Sequence, residues 1–172
     1  MGERAADHIE AFLDGPDASP RRRADDGDRV RRPVELDTRV DWMAALRQEG
    51  ARHARYGRAV SVLFIELRGQ APGAEADRIA RTMADVICGA ARETDRVTRV
   101  GALSFRLLLP ETRGRAARSL VERLDRAFLA TVDGASGDLV LTIDVATAPR
   151  RGSLEDAFTA AEKRVAAEPS SI

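Results

Sequence analysis

The chain has 172 residues, of which 44% are apolar, 33% are charged and 4% are aromatic. A chain of this length has enough apolar side chains for one core, so we expect one main domain. The 28 basic and 28 acidic residues cancel, which argues against a nucleic-acid-binding protein because such binding needs an excess of positive charge. No apolar run is long enough to cross a bilayer and Cys88 has no cysteine partner, so we predict a cytoplasmic protein with neither a membrane nor a nucleic-acid partner.

Residues 1–36 differ in composition from the rest of the chain. They hold 7 basic and 9 acidic residues together with the breaks Gly15-Pro16 and Ser19-Pro20, which favours a disordered or linker tail. Ile9, Phe12 and Leu13 fall at helical spacing, so a short docking helix is the alternative. We place the domain at residues 37–167 and a second short tail at 168–172.

The first half of the predicted domain alternates helices and strands. Asp37 is a candidate cap for a helix that runs to about Tyr56, with Gly57 as its stop. Residues 59–67 are almost wholly apolar and rich in β-branched side chains, which is typical of a central strand covered on both faces. A second amphipathic helix is predicted over 74–92.

The second half begins with a hairpin. Strands at 96–100 and 103–109 flank a turn at Gly101 and Ala102, and Thr112 is a candidate cap for the next helix. A turn at 133–137 leads to a strand at 138–146, and Ser153 opens the last helix. After the first helix the order is βαββαβα, which predicts an α/β (α+β) class domain with one sheet and helices packed on it.

The sequence gives little support for a zinc site or for a serine-hydrolase site. His8 and His53 lack the partners of a zinc site, and we expect His53 to be solvated or partly packed. The serines have no His-plus-acid partners. Trp42 and Tyr56 flank the first helix and are interpreted as packing anchors.

Three stretches of the sequence resemble the GGDEF family, the diguanylate cyclases that condense two GTP molecules into cyclic di-GMP. They are residues 54–67, 92–101 and 105–112, and the resemblance covers about residues 37–167. It implies a nucleotidyl-cyclase-like palm, in which helices flank a central, mostly antiparallel sheet.

The hairpin departs from the family pattern. The family carries two glycines, two acidic residues and a phenylalanine at the positions that here are Gly101, Ala102, Leu103, Ser104 and Phe105. Both carboxylates are missing, so we expect no catalytic residue, no functional Mg²⁺ site and no cofactor. By the resemblance, Glu66 is a candidate for a vestigial metal ligand. We favour the alternative, in which Glu66 is a glutamate at the end of a strand and its carboxylate pairs with Arg68 or Arg99.

The resemblance also implies an inhibitory-type Arg-x-x-Asp site, formed by Arg92, which lies nine positions before Gly101, and by Asp95. A guanidinium can bind phosphate and an Asp can accept from guanine. In the competing interpretation, Asp95 bonds backbone amides and Arg92 bonds the helix end. The leading hypothesis is thus an inactive GGDEF-like domain that binds cyclic di-GMP. The alternatives are a module that keeps only the fold, for another signalling protein or self-association, and a residual cyclase.

Overall fold

A computed structural model describes residues 34–69, 71, 73–132 and 139–167. The elements in chain order are β1 (Leu36–Asp37), α1 (Arg39–Tyr56), β2 (Val60–Arg68), α2 (Gly73–Ala90), β3 (Arg96–Arg99), β4 (Ser104–Pro110), α3 (Gly114–Val132), β5 (Val140–Thr147) and α4 (Leu154–Ala167). The predicted docking helix, most of the predicted N-terminal tail, the turn at 133–137 and the tail at 168–172 lie outside the described residues. Within the described part of the chain, no helix combines the length and apolarity that a membrane span requires.

One five-stranded sheet has the order β1-β3-β4-β2-β5. Only β1 and β3 run parallel, while the other neighbours are antiparallel. The predicted α/β class and the mostly antiparallel sheet flanked by helices are therefore confirmed. The sheet begins at Leu36, one residue before the boundary predicted at 37.

Strand β2 separates two hydrophobic cores, because successive side chains point to opposite faces of a sheet. Leu63, Ile65 and Leu67 pack with the buried faces of α2 and α3. Val62 and Phe64 pack on the other side, against α1 and α4. Residues 60–65 are at most 1% exposed, which confirms the prediction of a strand covered on both faces.

Two predicted helix caps are wrong. Thr38 caps α1 by accepting from the Asp41 N–H at 3.1 Å, whereas Asp37 lies in β1 and accepts two hydrogen bonds from Arg96, both at 2.7 Å. The Thr112 hydroxyl is used elsewhere, since it donates to the Pro110 carbonyl at 2.9 Å. Ser153 does cap α4, accepting from two backbone N–H groups at 3.0 and 3.3 Å.

Trp42 packs as predicted, whereas Tyr56 and His53 differ from their predicted environments. Trp42 is the anchor predicted, 1% exposed, with its indole N–H donating to the Arg96 carbonyl at 3.0 Å. Tyr56 is not an anchor, since it is 61% exposed. His53 is buried rather than solvated, because its two ring nitrogens lie 2.6 Å from the Arg58 carbonyl oxygen and 3.0 Å from that of Pro149.

Phe158 joins the helices of the second core, with its ring centroid 5.9 Å from that of Trp42 and 5.1 Å from that of Phe64. We expect Phe158→Ala to lower the free energy of unfolding by about 3–5 kcal/mol, because it leaves a cavity between three packed elements. Urea unfolding followed by the fluorescence of Trp42, the only tryptophan, measures this loss. Leu129→Ala is the control, since Leu129 is 67% exposed and its loss should stay within about 0.5 kcal/mol. Equal losses in the two variants would contradict the assigned core.

Candidate functional site

The predicted motif residues lie at one end of the sheet, where the β3–β4 hairpin turns. The N–H groups of Val100 and Gly101 donate to the Ser104 carbonyl at 2.9 and 3.3 Å, and the Leu67 N–H donates to the Leu103 carbonyl at 3.0 Å. Glu66 is paired in register with Ser104. The fold therefore brings Glu66 and the turn together, as the resemblance implies.

Glu66 is engaged by two arginines. Its carboxylate lies 3.5 Å from the Arg106 guanidinium and 3.9 Å from that of Arg68. The pairing predicted with Arg68 is present, whereas Arg99 instead pairs with Asp77 at 3.6 Å. Glu66 is thus part of an internal ion-pair cluster.

Arg106 was not predicted as a partner of Glu66. Its side chain is 9% exposed and its guanidinium carbon lies 4.6 Å from the centroid of the Phe64 ring. Burial lowers the pKa of Arg106, and the carboxylates of Glu66 and Glu162 oppose this effect. The sequence feature that could have indicated this pairing is the single arginine in an otherwise apolar strand, because a buried guanidinium needs a counter-charge.

A cavity of about 380 Å³ opens beside this cluster. Its charged lining consists of two arginines and two glutamates: Arg39, Arg106, Glu66 and Glu162. Among the described residues, no three His, Cys, Asp or Glu side chains come together in a group able to hold a metal ion. The cavity is therefore charge-balanced by protein groups alone.

The second predicted site, Arg92 and Asp95, lies in the turn between α2 and β3, at the opposite end of β3 from the hairpin. Asp95 is 3% exposed. Its Oδ2 accepts from the Arg92 N–H at 2.7 Å, and its own N–H donates to the Arg92 carbonyl at 2.9 Å. Within the described part of the chain, Asp95 Oδ1 is buried without a hydrogen-bond partner. Asp95 thus closes the turn through a backbone amide, as the competing interpretation expects.

The helix end beside this turn is bonded by a different arginine. Arg123 of α3 donates to the Ala90 carbonyl at 2.8 Å, which is the role that the competing interpretation gave to Arg92. The positive charges of Arg92 and Arg123 both act on the Asp95 carboxylate. Sequence reasoning missed Arg123, since it lies 33 residues from Ala90 on a helix with many exposed arginines.

Arg92 lines a cavity of about 520 Å³, which we call the Arg92 cavity. Its charged lining comprises Arg52, Arg92, Arg96, Glu49, Glu93 and Glu111. Arg52 pairs with Glu49 at 2.8 Å and Arg96 pairs with Asp37 at 2.7 Å. The exposed guanidinium of Arg92 makes no hydrogen bond or ion pair within the described residues, so it has its full donor set available.

Neither a protein-family model nor a curated protein matches the sequence. Solved structures do match the fold. The active GGEEF domain of a diguanylate cyclase from Vibrio cholerae has a TM-score of 0.66 and 18% identity, over 75% of this chain and 88% of that chain. The GGDEF domain of DgcB from Caulobacter crescentus, solved in complex with cyclic di-GMP, has a TM-score of 0.63 and 13% identity, over 79% and 86%.

A third match, from Pseudomonas aeruginosa, is the diguanylate cyclase SiaD in complex with its activator SiaC. It has a TM-score of 0.55 and 23% identity, over 77% of this chain and 59% of that chain. These three structures are GGDEF domains or proteins that carry one. The described chain therefore has the fold of a GGDEF domain.

Proposed function

We propose that this chain is a catalytically inactive GGDEF-like signalling domain that binds cyclic di-GMP at the Arg92 cavity. The observation that carries the proposal is the Arg92 guanidinium, which is exposed, lacks an ion pair within the described residues and lines a cavity of about 520 Å³. A guanidinium with all its donors available binds phosphate oxygens in a bidentate manner.

The mixed lining of the cavity suits a ligand that carries both phosphates and guanine edges. Arg92 would contact a phosphodiester. Glu93, which is exposed and lines the same cavity, would accept from the N–H groups of a guanine. This arrangement gives the acceptor role to Glu93 rather than to Asp95, because Asp95 is buried behind the turn.

Asp95 then acts as a positioning residue. Its Oδ2 holds the backbone of Arg92 at 2.7 Å and so fixes the start of the side chain that binds. Burial raises the pKa of the Asp95 carboxyl above its ordinary value of 3.8, against the opposing effects of the Arg92 N–H and of the positive charges of Arg92 and Arg123.

The hairpin supports the absence of cyclase activity. A divalent cation in such a site needs anionic oxygen ligands, but Leu103 has no side-chain oxygen and Ser104 offers only a hydroxyl. The remaining carboxylate, Glu66, is paired with Arg106 and Arg68. These residues do not fit a Mg²⁺ site.

Calorimetric titration with cyclic di-GMP tests the receptor. We expect binding by the wild-type chain and a loss of affinity of about tenfold or more in Arg92→Ala, the size expected for one lost charge-assisted contact. Arg81→Ala is the matched control, since Arg81 is exposed on α2 and outside the Arg92 cavity, and its affinity should be unchanged. If the wild-type chain gives no heat, the receptor hypothesis fails and a protein-interaction module becomes the better account.

Asp95→Asn tests the burial of the Asp95 carboxyl through the pH dependence of stability. A raised pKa means that the fold favours the protonated carboxyl, so the contribution of Asp95 to stability is greatest below pH 3.8 and falls as the pH rises through the folded-state pKa. Urea unfolding at pH 4 and pH 7, conditions chosen to bracket the change, should show the variant gaining stability relative to wild type at the higher pH. Asp125→Asn, on the exposed face of α3, is the control for a carboxyl-to-amide change made outside the turn.

Incubation with GTP and either Mg²⁺ or Mn²⁺ tests inactivity. We expect no cyclic di-GMP by chromatography, from the wild-type chain or from Arg106→Ala, because freeing Glu66 does not restore the two missing carboxylates. Product formation that disappears in Glu66→Ala would overturn the assignment.

A further inference from the structure

A second cavity of about 520 Å³ lies where five parts of the chain meet, and we call it the Arg113 cavity. The end of α1, the start of β2, the β4–α3 connection, the end of β5 and the β5–α4 connection all contribute to its wall. Its lining residues are His53, Gly57, Arg58, Ala59, Glu111, Arg113, Thr147, Ala148 and Arg150. It adjoins the Arg92 cavity through Glu111, but Arg92 is not part of it.

The charges of this cavity do not balance. Three arginines face one glutamate, and that glutamate, Glu111, is already paired with Arg58. Arg113 and Arg150 are exposed and make no ion pair within the described part of the chain. The lining therefore carries an excess of two positive charges in a chain whose formal net charge is zero, which favours a dianionic ligand.

Helix α3 adds to this positive potential. It begins at Gly114, next to Arg113, and has no acidic residue in its first turn. A Cβ atom on Gly114 would lie 3.1 Å from Thr147 Oγ1, so this helix start is seated against the end of β5, which forms part of the cavity wall. The free N–H groups of a helix N-terminus carry partial positive charge.

Buried polar side chains fix the backbone that bears the three arginines. His53, 4% exposed, contacts the carbonyl oxygens of Arg58 and of Pro149, the residue before Arg150. Ser61, fully buried, donates to the Thr112 carbonyl at 2.9 Å, next to Arg113. Preorganisation of this kind lowers the entropic penalty of gathering several guanidinium groups around one ligand.

We propose that the Arg113 cavity binds a dianionic phosphate group, with Arg113 and Arg150 as its main contacts. The guanidinium groups provide bidentate donors for phosphate oxygens, and the two excess charges match the charge of a phosphate monoester. A volume of about 520 Å³ exceeds what a bare phosphate needs, so there is room for an organic group on the ester. This site is separate from the proposed cyclic di-GMP site, whose ligand contains only phosphodiesters.

Calorimetric titrations with GMP, inorganic phosphate and guanosine, all at one ionic strength held with chloride, test this proposal. We expect GMP to bind, inorganic phosphate to bind more weakly and guanosine not to bind. Inorganic phosphate binding as tightly as GMP would identify free phosphate as the source of the bound group. The proposal fails if neither GMP nor inorganic phosphate binds.

Single substitutions test whether GMP binds in this cavity. Arg113→Ala and Arg150→Ala should each weaken GMP binding about tenfold or more. Arg115→Ala, two residues further along in the first turn of α3 and exposed, should have no effect. Arg92→Ala should leave GMP binding intact, and Arg113→Ala should leave cyclic di-GMP binding intact, so either proposal can fail alone. GMP affinity that survives both Arg113→Ala and Arg150→Ala would overturn the assignment.

Discussion

Strand β2 is covered on both faces and along both edges, and this constraint organises the rest of the molecule. Residues 60–65 are at most 1% exposed, and β2 pairs with β4 on one side and β5 on the other. A strand enclosed in this way has no place for an unpaired charge along its length. Charged side chains therefore gather at and beyond its two ends, with the hairpin at one end and the Arg113 cavity at the other.

At the hairpin end, the register of β2 and β4 explains why the Glu66 carboxylate is held in an ion pair. Arg106 lies directly opposite Phe64 across the β2–β4 pair, and Glu66 is two residues further along β2 on the same face. Arg106 consequently stacks on the Phe64 ring and reaches the Glu66 carboxylate. A cation that competed for Glu66 would deprive the buried guanidinium of the carboxylate that lies 3.5 Å from it, and that is energetically unfavourable. The register thus accounts for the internal ion pairing of Glu66.

Local sequence patterns were sufficient for the four helices and for the strands β2 to β5, but not for the edge strand β1, whose residues were assigned to the tail and to a helix cap. The apolar run of β2, the amphipathic spacing of α2 and the Ser153 cap each depend on residues a few positions apart, and each was predicted. Two residues whose partners are distant, Asp37 and His53, were assigned incorrectly. Asp37 is as suitable a cap as Thr38 by local chemistry, but Arg96, 59 residues away, engages it in β1. His53 is buried because the Pro149 carbonyl, 96 residues away, meets its ring.

At the candidate sites, too, local sequence features were predicted, whereas contacts set by the fold were not. The spacing of Arg92, Asp95 and Gly101 located the turn, but spacing does not report which side chain faces out. Asp95 is buried because it closes the turn, so its exposed neighbour Glu93 shares the cavity with Arg92 instead. Glu111, with its backbone φ of 52°, carries no sequence signal that would place it between two cavities.

Although the composition of the chain is neutral, the charges that line its cavities differ, and this difference bears on which ligand each cavity favours. Arginines and acids are equal in number in the linings at the hairpin and at Arg92, whereas the Arg113 cavity has two more arginines than acids. A chain without net charge exerts little long-range attraction on a polyanion. For the phosphate ligand that we propose at the Arg113 cavity, recognition would instead depend on short-range contacts with guanidinium groups on a fixed backbone, and such contacts favour a small ligand that fits inside the cavity over an extended one.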